Sequence, residues 1–305
     1  YMITSLVRST IQKLEKYTCA RDLYRGGGVL LDANENAFGS TISIPIDIAL
    51  NRYPDPNSQE LKKALGSFLS VSENNLFIGA GSDQIIDLLV RVFVDPRDEV
   101  AIFEPTFSMY KVVTEAAGGV ARTCLLDKDF QIDFDAFKKI VTDKTKIVFC
   151  CSPNSPTGNL LRVSDIEQLC KEFEGIVVVD EAYVEFSSQE SFAKRVMEFK
   201  NLVVLRTFSK AWGLAAARVG YAVADHLVVE YLNRLKMPYA INSISEYCAV
   251  QALQNQKQLQ EMCGAMKIER EKLAQGLAKM GLFVFPSETN FLLVKIPNSK
   301  KITAQ

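Results

Sequence analysis

At 305 residues, 48% of them hydrophobic, the chain is long enough for one large domain and a smaller companion. Its 35 Lys and Arg against 36 Asp and Glu leave a formal net charge of −1, which gives no electrostatic reason to expect nucleic acid or an anionic membrane as a partner. His226 is the only histidine, so Ser-His-Asp chemistry and multi-histidine metal sites have almost no material, and no metal is expected.

The first forty residues hold a charged helix, a Gly26-Gly27-Gly28 turn and the run Leu30-Leu31-Asp32-Ala33-Asn34-Glu35-Asn36, expected to pack beside the C-terminal unit. From about Asn75 to Ala224, short apolar runs rich in β-formers alternate with helical stretches. Strands are predicted over 76–79, 99–103, 121–125, 146–151, 175–180, 202–206 and 219–223. Runs such as Ile176-Val177-Val178-Val179 are apolar at every position, as strands covered on both faces are. Ser82 precedes the helical run Ile85-Ile86-Asp87-Leu88-Leu89, and Ser164-x-x-Glu167 reads as a capping box. This alternation predicts an α/β fold, a mostly parallel seven-stranded sheet sandwiched by helices, with ligands at the carboxyl ends of its strands. After Asp225 the stretch 243–280 is nearly all helix-compatible, with Gly264 as the expected break, and 283–285 and 290–296 read as strands of a smaller α/β unit. The expected division is a large domain over 40–240 and a small one built from 1–39 and 241–305.

The seven cysteines (Cys19, Cys124, Cys150, Cys151, Cys170, Cys248 and Cys263) are odd in number, contain no C-x-x-C and sit largely in apolar runs. Reduced thiols in such runs behave as small hydrophobes, which points to a reducing cytoplasm. No apolar run is long enough to span a bilayer and no charged-then-apolar leader opens the chain, so neither a membrane partner nor export is expected.

The chemistry sits at predicted strand ends. Gly79-Ala80-Gly81-Ser82-Asp83 closes a strand and opens a helix, where free N–H groups and the helix dipole face a bound anion. It is neither a Walker A loop nor a Gly-x-Gly-x-x-Gly fingerprint. Asp180 closes the apolar strand, where a carboxylate is costly without a cationic partner. Tyr183 follows it, then Thr207-Phe208-Ser209-Lys210, then Arg218. An acid, a phenol, an amine and a guanidinium in this order could hold pyridoxal 5'-phosphate. Lys210 would condense with the aldehyde, and Asp180 would keep the ring nitrogen protonated. Ser209 and Arg218 would take the phosphate. Ala182 and Phe107 would flank the ring, and Tyr183 and Asn154 would donate to its phenolic oxygen. Each residue alone is more often structural: a buried ion pair, a Pro-rich turn around Asn154, a core phenylalanine. Their joint order reverses that weighting.

Ser-Pro-Asn-Ser-Pro-Thr-Gly at 152–158, Asp-Glu-Ala-Tyr-Val-Glu-Phe at 180–186 and Arg-Thr-Phe-Ser-Lys-Ala-Trp-Gly-Leu-Ala at 206–215 resemble the fold-type I pyridoxal-phosphate aminotransferases. With Asp32-Ala33-Asn34-Glu35-Asn36, Arg52-Tyr53-Pro54 and Ser287-Glu288-Thr289-Asn290-Phe291, the resemblance narrows to the histidinol-phosphate aminotransferase family and covers nearly the whole chain. It implies a homodimer in which Tyr53 reaches the phosphate of the neighbouring subunit, with Tyr17, Asn34 and Glu35 near the substrate. It implies glutamate and histidinol phosphate as substrates. Phe107 departs from the family's usual tyrosine, keeping the ring and losing a hydroxyl. The family pattern also runs on past Gln305 to an arginine that clamps the substrate's anionic group, so the small domain is expected to be incomplete here. Two other catalytic readings stay open: a decarboxylase of the phosphothreonine type and an aminotransferase for aromatic amino acids. A non-catalytic regulator on the same fold is disfavoured by the intact lysine and by the lack of a basic or helix-turn-helix segment in the first forty residues.

Overall fold

The computed structural model describes residues 34–39, 42, 48 and 51–297, together with Gln12. Tyr17, the charged N-terminal helix and the triple-glycine turn lie outside the described residues.

Seven strands form the central sheet: β1 (Leu76–Gly79), β2 (Glu99–Glu104), β3 (Val120–Leu125), β4 (Thr145–Cys151), β5 (Ile176–Asp180), β6 (Leu202–Thr207) and β7 (Gly220–Ala224). Their order across the sheet is β1-β7-β6-β5-β4-β2-β3. Only β7 runs against its neighbours, pairing antiparallel with both β1 and β6. The parallel core aligns the strand ends that matter, with Cys151 opposite Asp180 and Asp180 opposite Leu205.

The central strands are apolar through their middles because each parity faces its own helical layer, while the edge strand β3 is largely exposed. Val148, Cys150, Val177, Val179, Leu202 and Val204 pack on one side with α1 (Gln59–Leu69), α5 (Val163–Glu172) and α7 (Ser243–Gln254). Ile147, Phe149, Cys151, Val178, Val203 and Leu205 pack on the other with α2 (Gly81–Phe93), α3 (Met109–Ala117) and α6 (His226–Leu235). Each such fully buried aliphatic side chain contributes about 1.5–3 kcal/mol, so this double core fixes the register that carries the strand ends. Among the described helices, α4 (Phe134–Ile140), α6 and α7 have side-chain caps, from Asp133, Asp225 and Asn242. The core continues past the sheet into α7 and the first turns of α8 (Gln256–Lys279), through Cys248, Ala249, Leu253, Leu259 and Cys263.

Three local expectations need correction. Ser164 caps nothing: α5 starts at Val163, Arg162 holds the N-cap position without a side-chain cap, and Ser164 Oγ donates to Asp165 instead. Glu167, the other half of the expected box, is taken by Arg195 at 2.7 Å. Gly264 breaks no helix, since α8 runs unbroken from Gln256 to Lys279 and the interruption falls at Asn255 (φ −101°, ψ 39°). One glycine costs a helix only about 1 kcal/mol relative to alanine, which a long helix absorbs. The late strands are also shorter than predicted. β8 (Phe283–Val284) and β9 (Val294–Lys295) pair antiparallel, and the chain between them is held by Ser287 and Thr289 hydroxyls on Phe291 O. Those side-chain bonds replace a ladder over 286–293. Among the described residues no helix is long and apolar enough to cross a membrane.

Candidate active site

The site residues converge where β4, β5 and β6 end beside the start of α2. Asp180, 4% exposed, closes β5. Its Oδ2 accepts from the Tyr110 hydroxyl at 2.8 Å and its Oδ1 from Ala182 N at 3.1 Å. Burial pushes the Asp180 carboxyl up to about 6, against the opposing pull of those two donors. Neither donor is a cation, so the carboxylate still lacks the partner that would offset its desolvation.

Lys210 follows β6 on the turn Phe208-Ser209-Lys210, its Nζ 5.5 Å from the centroid of the Tyr183 ring. Burial lowers the Lys210 amine from its ordinary value; Asp83 pulls the other way and Arg218 adds to the lowering. The shift makes the amine easier to deprotonate than an exposed lysine, the direction a base needs. The Tyr183 hydroxyl accepts from Asn34 Nδ2 at 3.1 Å, and burial lifts that phenol to about 12. Because the oxygen already accepts, its own proton is available to a further acceptor. Asn290 Nδ2 donates to Asn34 O at 2.9 Å, which ties the segment after β8 to this same corner.

The anion cradle is made by close backbone approach. Gly81 adopts φ +77°, and a Cβ there would stand 2.6 Å from Arg218 Nη2. A Cβ on Gly220 would stand 2.4 Å from Ser82 N, so only glycine lets β7 meet the first turn of α2. Arg218 itself is left-handed (φ 53°), which turns its guanidinium toward that turn. Nη1 donates to Ser209 Oγ at 3.3 Å and to Ala215 O at 3.1 Å, while Nη2 pairs with Asp83 Oδ2 at 3.2 Å. Ser82 lies inside the first turn rather than before the helix, since α2 begins at Gly81.

The remaining predicted residues are placed as follows. Phe107 sits partly buried beside the cluster, edge-on to Tyr110 at 5.6 Å. Asn154 is buried, donating to Pro105 O at 2.9 Å and Thr157 Oγ1 at 2.6 Å and accepting from Thr106 Oγ1 at 2.9 Å. Glu35 is exposed yet exerts an electrostatic pull on Lys210. Tyr53, 81% exposed, is not brought to the cluster by any described contact; it stacks on Tyr239 at 4.5 Å. Sequence reasoning missed Tyr110. Its one signal is its place three residues after Phe107, which precedes α3, close enough for the two rings to meet. Among the described residues no group of His, Cys, Asp and Glu is arranged to hold a metal ion.

The chain matches the family described as aminotransferase class I and II over residues 29–305. It belongs to that family. It is 40% identical over 306 residues to the histidinol-phosphate aminotransferase of Cytophaga hutchinsonii, covering 99% of this chain and 87% of the relative. Against the histidinol-phosphate aminotransferase of Bacteroides thetaiotaomicron the identity is also 40%, over 98% of this chain and 86% of the relative. The crystal structure of histidinol-phosphate aminotransferase from Sinorhizobium meliloti in complex with pyridoxal-5'-phosphate aligns with a TM-score of 0.85 at 25% identity, covering 95% of this chain and 82% of that one. The aminotransferase donor set present here fits pyridoxal 5'-phosphate: a buried carboxylate short of a cation, an amine of lowered pKa, a guanidinium at a glycine-lined helix start and an aromatic ring beside them.

Proposed function

We propose that this aminotransferase depends on pyridoxal 5'-phosphate and exchanges an amino group between glutamate or 2-oxoglutarate and histidinol phosphate or imidazole-acetol phosphate, a step of histidine biosynthesis. The observation that carries the reading is the meeting of Asp180, Tyr183, Lys210 and Arg218 at neighbouring strand ends. Relatives 40% identical along nearly the whole chain support the substrate.

Ser209, Arg218 and the N–H groups of Gly81, Ser82 and Asp83 would hold the phosphate, and Tyr53 of a second subunit would complete the cradle. Asp180 would face the ring nitrogen, Phe107 and Ala182 the two ring faces, and Tyr183 the phenolic oxygen, with Asn154 joining it once its amide gives up Pro105 O or Thr157 Oγ1. When bound, the cofactor supplies an electrophilic aldehyde carbon and a ring that withdraws electrons from the substrate's α-carbon. Lys210 Nζ, its pKa lowered by burial, would take the α-proton of the amino substrate and deliver it to the cofactor's aldehyde carbon. Tyr183 keeps its own proton, because burial holds the phenol far from ionising at neutral pH. Tyr17, Asn34 and Glu35 would lie against the substrate. We place the enzyme in the cytoplasm as a homodimer, a reading that the exposure of Tyr53 suits.

The test is the visible spectrum of protein loaded with pyridoxal 5'-phosphate, before and after histidinol phosphate. Loss of the lysine-linked band, a rising pyridoxamine-type band and no CO2 are expected. A band that responds to glutamate but ignores histidinol phosphate would remove the substrate and keep the class. CO2 without 2-oxoglutarate chemistry would replace the transaminase by a decarboxylase.

A further inference from the structure

Tyr110 is fully buried and makes three contacts that together aim its hydroxyl. Its ring stacks face to face on Phe149 of β4, 4.4 Å away and 3° from parallel. Phe107 meets it edge-on at 5.6 Å. Its backbone carbonyl accepts from Thr114 Oγ1 at 2.7 Å, which helps fix the first turns of α3. The hydroxyl so placed donates to Asp180 Oδ2, seventy residues away in sequence.

We propose that Tyr110 is a positioning residue for Asp180: it orients the carboxylate and holds it ionised, so that the carboxylate can pair with a protonated ring nitrogen. The inference rests on the cofactor reading above and extends it to a side chain that would touch neither cofactor nor substrate. A hydrogen bond donated to a carboxylate favours its charged form, and this one is made where water cannot replace it. The donor is also permanent. Burial and the neighbouring Asp180 hold the Tyr110 phenol well above its ordinary value, so it carries its proton at every working pH. The other groups acting on Asp180 are few. Lys210 favours the anion and Asp83 opposes it. Cys151, pushed up to about 12 by burial, stays a neutral thiol. Tyr110 also links the two ring-contacting expectations physically, since Phe107 packs on the same ring that orients Asp180.

The test reads Asp180 directly. In cofactor-free protein with 13C-labelled aspartate, the titration of the Asp180 carboxyl is followed in wild type, in Tyr110→Phe and in Phe149→Leu. Tyr110→Phe is expected to raise the Asp180 pKa by about one unit and to weaken pyridoxal 5'-phosphate binding about tenfold, the scale of one hydrogen bond to a charged group. Phe149→Leu loosens the packing that aims the hydroxyl but keeps the hydroxyl itself, and is expected to lower stability while shifting the Asp180 titration by less than Tyr110→Phe does. An unmoved titration in Tyr110→Phe overturns the proposal, as does an equal shift in Phe149→Leu. Should Tyr110→Phe fail to fold, Tyr110→Met removes the donor with an adaptable apolar side chain and is expected to raise the Asp180 pKa likewise; no shift there overturns the proposal too. Absence of a lysine-linked band in wild type would instead remove the cofactor reading, while the cofactor-free titration would still judge Tyr110 and Asp180.

Discussion

Asp180 and Glu181 are adjacent, both buried, and both leave the end of β5, yet their surroundings are built on opposite plans. Glu181 is met by the Ser191 hydroxyl and by Phe192 N at 2.6 Å, and it feels the attraction of the buried Arg206 guanidinium. Arg206 in turn pairs with Glu185 at 2.7 Å, and Trp212 Nε1 donates to the same Glu185 oxygen at 3.2 Å. That side is a network closed with a cation of its own. Asp180 has two neutral donors, and Lys210 acts on it only as a minor influence. The same desolvation therefore has two outcomes: on one face it is offset within the chain, and on the other it waits for a ligand. An unclosed buried carboxylate at a strand end is the better mark of a site.

Substitution should separate the two plans most widely. Asp180→Asn is expected to lower transaminase turnover by about 10²–10³-fold, the scale of one lost electrostatic partner, with the fold intact by circular dichroism. Glu181→Ala is expected to do the reverse. It strands the Ser191 hydroxyl and Phe192 N, costing about 1–3 kcal/mol for each donor left unpaired, while turnover at saturating cofactor stays near wild type. Loss of turnover in both variants with equal loss of stability would erase the distinction.

The pH dependence of the cofactor-free protein sharpens it further. Asp180 starts from 3.8 unfolded and rises to about 6 in the fold, so between those values the folded state holds a proton that the unfolded chain has lost. Stability therefore falls as pH rises through that window, by on the order of 3 kcal/mol, and levels off above it. Glu181, raised to about 7 by burial, adds a decline of similar sign that extends further up. Urea unfolding from pH 4.5 to 8 should show both declines in wild type and only the Glu181 part in Asp180→Asn. Loading the cofactor should remove the Asp180 part alone, since its ring cation faces only that carboxylate. A wild-type slope persisting unchanged in Asp180→Asn would refute the assignment.

The sheet was legible because strands buried on both faces must be apolar at every position, and 176–179 is such a run. Asp180, Lys210 and Arg218 were legible for the complementary reason: a charge at the end of such a run needs a purpose. Tyr110 was not, because its contact with Asp180 joins α3 to β5 across the fold, and its spacing from Phe107 says nothing of that partner. Local signals failed where tertiary contacts outbid them. Ser164 and Glu167 spell a capping box, but Arg195 holds Glu167 from a distant turn. Gly264 spells a break, yet a Cβ there would meet nothing within 4 Å and the helix runs through. Tyr53 was placed by resemblance alone, and its exposed stack on Tyr239 is not a pattern that periodicity could have suggested.

The smallest expected effect probes whether the two faces of the β5 end are independent. Ser191 donates to Glu181, accepts from Ala193 N at 3.0 Å to cap the turn Phe192–Met197, and lies 3.5 Å from Arg206 Nη1. Ser191→Ala removes the cap and one of the two hydrogen bonds to Glu181, costing about 1–2 kcal/mol in urea unfolding. Glu181 then titrates higher, because a donor that favoured its anion is gone. Asp180 should not notice: its donors are the Tyr110 hydroxyl from α3 and Ala182 N, neither of which bonds to Ser191. The 13C titration of Asp180 and the turnover are both expected to match wild type. A shift in either would mean that β5 transmits the loss through its backbone, and the closed network would then belong to the site it adjoins.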